Sequence, residues 1–142
     1  MNLVTPERIA AVLDLAPLPH SFAELDERVS RGLPKSALKA SVSHIHERTD
    51  DRRELLHGIV PVATWKRRRD CLSPEESGKA ERLARVFATA AYVWDSEDRA
   101  RAFLTTPHPM LQDRKPLDVS MTEIGARRVE EILWRLHYGI AA

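Results

Sequence analysis

Cysteine is nearly absent from this chain of 142 residues, and the single Cys71 cannot form an internal disulfide. It has no cysteine or histidine neighbour at zinc-finger spacing, which excludes a structural zinc site of that kind. The five glycines do not gather into a phosphate-binding loop, and no nucleophile motif occurs. No stretch approaches the roughly 20 apolar residues of a membrane span, and the first residues do not resemble a signal peptide. We therefore expect a cytoplasmic protein that is not bound to a membrane.

Six histidines are the remaining candidates for catalysis or metal binding. His44 and His46 are two residues apart, so on a helix their side chains diverge and cannot share a metal ion. The other four have no carboxylate or cysteine partner at ligand spacing; they are His20, His57, His108 and His137. We therefore predict that the protein is not an enzyme and has no metal, no cofactor and no small-molecule substrate.

The formal net charge of +1 conceals an uneven distribution along the chain. Residues 1–30 carry 2 basic and 5 acidic side chains, residues 31–71 carry 10 and 5, and residues 72–142 carry 10 and 11. The positive charge therefore lies in the middle segment. A basic segment between neutral or acidic ones is typical of a polyanion-binding module.

Apolar residues recur at the helical spacing i, i+3, i+4 and i+7, whereas no segment alternates with the period of a strand. Each periodic stretch follows a polar residue that can cap a helix, often with proline or glutamate at a favourable position. These signals are Thr5-Pro6, Ser21 with Glu24, Ser73-Pro74 with Glu76, Asp95-Ser96, and Ser120 with Glu123. The sequence therefore predicts an all-α protein. Its first helix should end near Leu15, and Leu38, Val42 and Ile45 should line one face of the third.

The basic middle segment has the pattern of a helix-turn-helix. Asp50 and Asp51 precede a short helix over residues 52–57, Gly58 is predicted to end that helix, and Pro61 suits the first turn of the next one. A second helix packed across a first after a tight turn matches the geometry of a recognition helix in the major groove.

The second of these helices carries the candidate DNA contacts. Val62 and Trp65 are three residues apart and are predicted to pack inward, against Leu55, Leu56 and Ile59. The side chains predicted to face DNA are Ala63, Thr64, Lys66, Arg67, Arg68 and Arg69. Such cations neutralise phosphates, and an arginine can bind a guanine edge. The alternative is a solvated helix end whose cations complement the macrodipole, but the turn and the apolar inner face favour DNA binding.

Residues 72–142 have the pattern of a small three-helix module. The helix after Ser73 carries a long apolar stripe, which needs a partner helix. That stripe consists of Ala80, Leu83, Val86, Phe87, Ala90 and Trp94. The last helix is predicted to bury Val129, Ile132, Leu133 and Leu136, and Gly139 is predicted to end it.

Seven segments, taken in order, resemble the Xre/MbcA/ParS antitoxins of bacterial RES-type toxin-antitoxin pairs. They are GLPKSAL (32–38), VPVATWKRRR (60–69), LSPEES (72–77), RLARV (82–86), AFLTTPHPML (102–111), KPLDV (115–119) and GARRVEEILWRLHYGI (125–140). The resemblance runs from about residue 30 to the end of the sequence.

This resemblance implies a DNA-binding helix-turn-helix followed by a C-terminal toxin-binding domain. It further implies that a RES-domain toxin that consumes NAD is the partner, that the antitoxin covers the toxin's active site, and that the complex represses its own operon. The residues that the resemblance assigns to toxin binding are Arg135, His137, Tyr138, Gly139, Ile140, Ala141 and Ala142.

We accordingly expect three regions. Residues 1–30 are a candidate dimerisation region, residues 31–71 the helix-turn-helix, and residues 72–142 the toxin-binding domain. The helices of the first region are too short to be stable alone, and paired helix-turn-helix units match a palindromic operator, so we expect a homodimer within a hetero-oligomer. The alternative function is a stand-alone transcriptional repressor whose C-terminal module only oligomerises.

Overall fold

The computed structural model describes residues 2–142. In that range the chain forms nine α-helices, one 3-10 turn at Pro109–Leu111 and no strand, so the all-α prediction is confirmed. The helices are α1 (Pro6–Val12), α2 (Phe22–Arg31), α3 (Lys35–Ile45), α4 (Thr49–Ile59), α5 (Val62–Arg67), α6 (Pro74–Trp94), α7 (Glu97–Thr105), α8 (Pro116–Val119) and α9 (Glu123–His137). None of these described helices has the length and apolar character needed to cross a membrane.

The described residues divide into two compact units. The first is Thr5–Ala84, which contains α1 to α5 and the first half of α6. The second consists of Arg85–Ala142 with residues 2–4, and it contains the rest of α6 and α7 to α9. The boundaries expected at residues 30 and 71 stay a prediction.

α1 begins as its start signal predicts. The Thr5 hydroxyl accepts a hydrogen bond from the backbone N–H of Arg8 at 3.2 Å, which satisfies one of the free N–H groups of the first turn. The helix ends at Val12 rather than near Leu15. The reason is that Asp14 has a left-handed backbone, with φ 52, which a continuing helix cannot contain.

α2 is also capped at the predicted residue. The Ser21 hydroxyl accepts from the N–H of Glu24 at 3.0 Å, while the Glu24 carboxylate accepts from the N–H of His20 at 2.8 Å. Among the apolar residues of α2, Leu25 is 3% exposed, whereas Phe22 at the first helical position is 44% exposed. The helix therefore touches the core of its unit through little more than one side chain.

α3 supplies much of the core of the first unit. Leu38, Val42 and Ile45 are all buried, as the helical spacing predicts. The helix packs against α1 and α4. α3 therefore supports α4, the first of the two helices predicted to form the helix-turn-helix.

Two extended stretches pair beside the starts of α3 and α6. The backbone N–H of Leu72 donates to the carbonyl of Leu33 at 2.8 Å, and the N–H of Lys35 donates to the carbonyl of Asp70 at 2.8 Å. Gly32 has a φ of 103, and a Cβ there would lie 2.6 Å from the carbonyl oxygen of Leu72. Only glycine fits this close approach.

α6 carries the predicted apolar stripe. Ala80, Leu83, Val86, Phe87 and Ala90 are each at most 2% exposed, while Trp94 at the end of the helix is half-buried. The predicted stripe is therefore buried over most of its length.

α9 is capped by Thr122, and not by Ser120 as the spacing predicts. The Thr122 hydroxyl accepts from the N–H of Gly125 at 3.0 Å, whereas the buried Ser120 donates its hydroxyl to the Pro116 carbonyl at 2.7 Å. The cause is the additional helix α8, whose last turn engages Ser120. A Cβ on Gly125 would lie 1.7 Å from the Val119 carbonyl oxygen, so the glycine permits close packing of α8 and α9.

Charged side chains connect α9 to the second half of α6, and one face of α9 is buried. The side chains of Val129, Ile132 and Leu133 are buried as predicted, and Leu136 is half-buried. The Arg85 guanidinium donates to the Glu130 carboxylate at 2.8 Å and to the Glu123 carboxylate at 3.3 Å. This shared arginine fixes α9 along α6 within the second unit.

Candidate functional site

The first helix of the helix-turn-helix is longer than the sequence predicts. α4 starts at Thr49, so Asp50–Asp51 lie in its first turn, where carboxylates favour the positive end of the helix dipole. Gly58 was predicted to end the helix, but it lies inside α4 and does not have a positive φ. The helix ends one residue later than Gly58 because Val60 precedes Pro61, and a residue before proline avoids the helical region.

The second helix, α5, is short and rests on one aromatic ring. Trp65 is half-buried, its ring is edge-on to that of His57 at 6.3 Å, and the Nζ of Lys35 lies 4.3 Å from its centre. The prediction that Val62 also packs inward is wrong, since its side chain is 40% exposed. The fully buried Val60, just before the turn, fills the core position instead.

The end of α5 is fixed by a lysine from α3. The Lys35 ammonium donates hydrogen bonds to the carbonyl of Trp65 at 2.9 Å and to that of Arg68 at 3.1 Å. It thereby satisfies carbonyls that the last turn leaves free and places a positive charge at the negative end of the helix. Sequence reasoning missed this role because Lys35 lies 30 residues before Trp65 and gives no local signal.

Four of the six residues predicted to face DNA are exposed. They are Ala63, Lys66, Arg67 and Arg69. Thr64 is half-buried, and its hydroxyl accepts a hydrogen bond from the Arg67 guanidinium at 3.3 Å. The exposed cations form a positive surface along α5 and the residues that follow it.

Arg68, the sixth of these residues, is engaged within the protein. Its Nε donates to Oε1 of Glu76 at 3.0 Å, and its terminal nitrogen donates to Oε2 at 3.4 Å. The Arg68 side chain is 38% exposed and that of Glu76 is 12% exposed. This pair connects the end of α5 to the first turn of α6, which supports a structural role for Arg68.

Glu76 also completes the capping box predicted for α6. Its carboxylate accepts from the N–H of Ser73 at 2.8 Å, and the Ser73 hydroxyl accepts from the N–H of Glu76 at 3.1 Å. Burial by itself raises the pKa of the Glu76 carboxyl, but the hydrogen bonds from Arg68 and Ser73 outweigh burial and leave that pKa below its ordinary value. The charged form of Glu76 is thus the one that stabilises this joint.

The predicted toxin-binding residues include an ordered turn at the C-terminal end of α9. Gly139 has a φ of 70, and its N–H donates to the Leu136 carbonyl at 3.3 Å. The N–H of Ile140 donates to the Arg135 carbonyl at 2.8 Å. These two bonds form a Schellman motif, which ends α9 at the predicted glycine and ties Ile140 to the last helical turn.

Aromatic rings surround this turn. The Tyr138 ring lies 4.8 Å from the rings of both Trp134 and His137, and the His137 ring lies 5.3 Å from that of Tyr92. Tyr138 is 56% exposed and Ile140 46% exposed. We call Trp134, His137, Tyr138 and Ile140 the C-terminal edge. Sequence reasoning missed Tyr92 and Trp134, although Trp134 precedes Tyr138 by one helical turn.

Other predicted residues lie close to this edge. The Arg135 guanidinium pairs with the Glu131 carboxylate one turn earlier, at 3.4 Å, while Ala141 and Ala142 are exposed. Among the residues that the structure describes, no group of three histidine, cysteine, aspartate or glutamate side chains is arranged to hold a metal ion.

Two protein-family descriptions match the chain. Residues 24–85 match the Xre-like helix-turn-helix domain of antitoxins, and residues 89–139 match the C-terminal toxin-binding domain of Xre/MbcA/ParS antitoxins. The first match runs from within α2 to within α6, and the second runs from the later part of α6 through α9 and includes most of the C-terminal edge. No curated protein matches the chain.

Proposed function

Because this chain belongs to the Xre/MbcA/ParS family of antitoxins, we propose that its partner is a RES-type toxin that consumes NAD. The protein is a DNA-binding antitoxin with a helix-turn-helix and a toxin-binding domain. In the proposal, the C-terminal edge covers the active site of the toxin, and the complex represses its own operon.

The DNA contacts in this proposal come from the exposed side of α5. Lys66, Arg67 and Arg69 are exposed cations that can neutralise phosphates, while Trp65 faces the interior. Arg68 supports the helix through Glu76 and does not itself bind DNA. Since operator DNA lies in the cytoplasm of a bacterium, the proposal places the protein there.

The observation that carries the toxin-binding part is the exposure of large apolar side chains on an ordered turn. Tyr138 and Ile140 are about half exposed, yet the turn between them is held by two backbone hydrogen bonds. An apolar residue presented by an already ordered backbone loses little conformational entropy when it binds. This edge is therefore suited to enter a concave site on a partner.

We further propose that the protein dimerises through residues 1–30. Leu18 and Phe22 in this region are 37% and 44% exposed, although both are large apolar side chains. Dimerisation would cover them and would place two α5 helices on a palindromic operator.

The test is growth of cells that express the reading frame beside this gene, alone or with this chain. Growth arrest that the full-length chain relieves, and that a chain lacking residues 137–142 does not relieve, is the expected result. As the matched control, the shortened chain must unfold at the same temperature as the full-length chain and must bind DNA with the same affinity. If the shortened chain fully relieved the growth arrest, residues 137–142 would not cover the active site of the toxin. If the product of the neighbouring reading frame did not arrest growth, the alternative function, a stand-alone repressor, would be favoured.

A further inference from the structure

The outer side of α5 combines exposed apolar side chains with cations. Val62 and Lys66 are four residues apart, as are Ala63 and Arg67, so each pair lies along one side of the helix, one turn apart. All four side chains are exposed. Each pair therefore presents an apolar residue first and a basic residue whose Cα lies about 6 Å farther along the helix axis.

The apolar half of this surface cannot read bases through hydrogen bonds. Val62 and Ala63 have no side-chain donor or acceptor, and neither does the preceding Pro61. The nearest hydroxyl, that of Thr64, already accepts from Arg67 at 3.3 Å. In the major groove the one apolar group that a base pair presents is the C5-methyl group of thymine.

We propose that Val62 and Ala63 recognise thymine methyl groups in the operator, while Lys66 and Arg67 bind the neighbouring phosphates. This inference rests on the proposed operator binding and specifies how the bases are read. The matching charge of the two cations and the DNA backbone selects DNA as the occupant of this apolar surface. The orientation of α5 is fixed from its other side by Trp65 and by the two hydrogen bonds of Lys35.

The experiment compares two forms of the DNA segment immediately upstream of the gene, one made with thymidine and one with deoxyuridine, which lacks the methyl group. The dissociation constant of the full-length chain is measured for both at one salt concentration, alongside an unrelated DNA of equal length. Loss of the methyl groups should weaken binding about fourfold for each methyl group contacted.

Val62→Ala supplies the second arm. It shortens an exposed side chain and raises helix propensity, so the fold is kept. The variant should bind thymidine DNA about fourfold more weakly than the natural chain does. Its affinities for thymidine DNA and for deoxyuridine DNA should be nearly equal. Ile124→Ala, which shortens a side chain that is 73% exposed and lies outside α5, should keep the affinity ratio of the natural chain.

Two results would overturn the inference alone. The first is equal affinity of the natural chain for both DNAs. The second is that the natural chain and Val62→Ala show the same ratio of dissociation constants for deoxyuridine and thymidine DNA, which would mean that deoxyuridine acts through DNA shape. Affinity for the upstream segment no greater than for unrelated DNA would instead overturn the proposed operator binding, and the inference with it.

Discussion

Arg68, the C-cap residue of α5, forms a bidentate ion pair with Glu76 in the first turn of α6, with N–O distances of 3.0 and 3.4 Å. The same carboxylate accepts the backbone N–H of Ser73. One glutamate thus both caps α6 and attaches the end of α5 to it.

The stability that Glu76 provides should depend on pH. Because the pKa of its carboxyl is lowered in the folded protein, the stabilisation is fully present above the ordinary value of 4.5 and is lost as pH falls through the folded pKa. Glu76→Gln should therefore reduce the free energy of unfolding by about 1 kcal/mol at pH 7 and by much less at pH 3. Urea denaturation at both pH values measures this. Glu75→Gln is the control, because Glu75 lies in the same turn but is exposed. If Glu76→Gln lost the same unfolding free energy at both pH values, the charged form of Glu76 would not be the one that stabilises the joint.

The cations of α5 should differ in their effect on DNA binding. Lys66→Ala and Arg67→Ala should each weaken binding and should each reduce the slope of log affinity against log salt concentration by about 1, since each removes a phosphate contact. Arg68→Ala should lower the unfolding free energy and leave that slope nearly unchanged. A titration at several salt concentrations distinguishes the variants. A slope reduced equally by Arg68→Ala would make Arg68 a phosphate contact.

Lys35 should matter for DNA binding without touching DNA. Lys35→Met removes the two hydrogen bonds to the end of α5, so we expect a loss of about 1–2 kcal/mol in unfolding free energy and faster amide exchange in α5. DNA affinity should fall while its salt slope stays the same. Lys39→Met is the matched control, because the Nζ of Lys39 lies 5.9 Å from the Trp65 ring. Equal effects of both substitutions would refute the capping role.

The left-handed turn at Gly139 should control toxin binding. A Cβ at Gly139 meets nothing within 4 Å, so substitutions there act through backbone strain at φ 70 and not through a clash. Asparagine tolerates this conformation and should be nearly neutral, whereas Gly139→Val should weaken binding of the toxin about tenfold.

The amide exchange of Ile140 gives a readout that needs no partner, because its N–H is bonded only while the turn is formed. Gly58→Ala is the control, since Gly58 lies inside α4, has no positive φ and has open space around it. Equal toxin affinity of the asparagine and valine variants would show that the turn is irrelevant.

The features that sequence predicted correctly are local. The caps at Thr5, Ser21 and Ser73 each depend on residues three positions apart, and the buried faces of α3 and α6 follow from helical spacing. The residues expected to face DNA and to bind the toxin come from spacing and resemblance, and they stay a prediction.

The errors arise where two local choices compete or where distant residues meet. Val60 and Val62 both offer an apolar side chain near the turn, and the restriction imposed by Pro61 decides that Val60 enters the core. Likewise, both Ser120 and Thr122 can cap α9, and the unforeseen helix α8 engages Ser120. The role of Lys35 could not be predicted at all, because it depends on a contact across 30 residues.

The paired stretches at Leu33–Lys35 and Asp70–Leu72 join the two ends of the segment that contains α3, α4 and α5. These bonds are made by the backbone, so they persist whatever side chains the segment carries on its outer surface. Under the proposed function, substitutions on α5 would therefore change operator preference without any change in the backbone where α6 begins. For the same reason the segment is a natural unit for exchange between antitoxins when a new operator specificity is to be engineered.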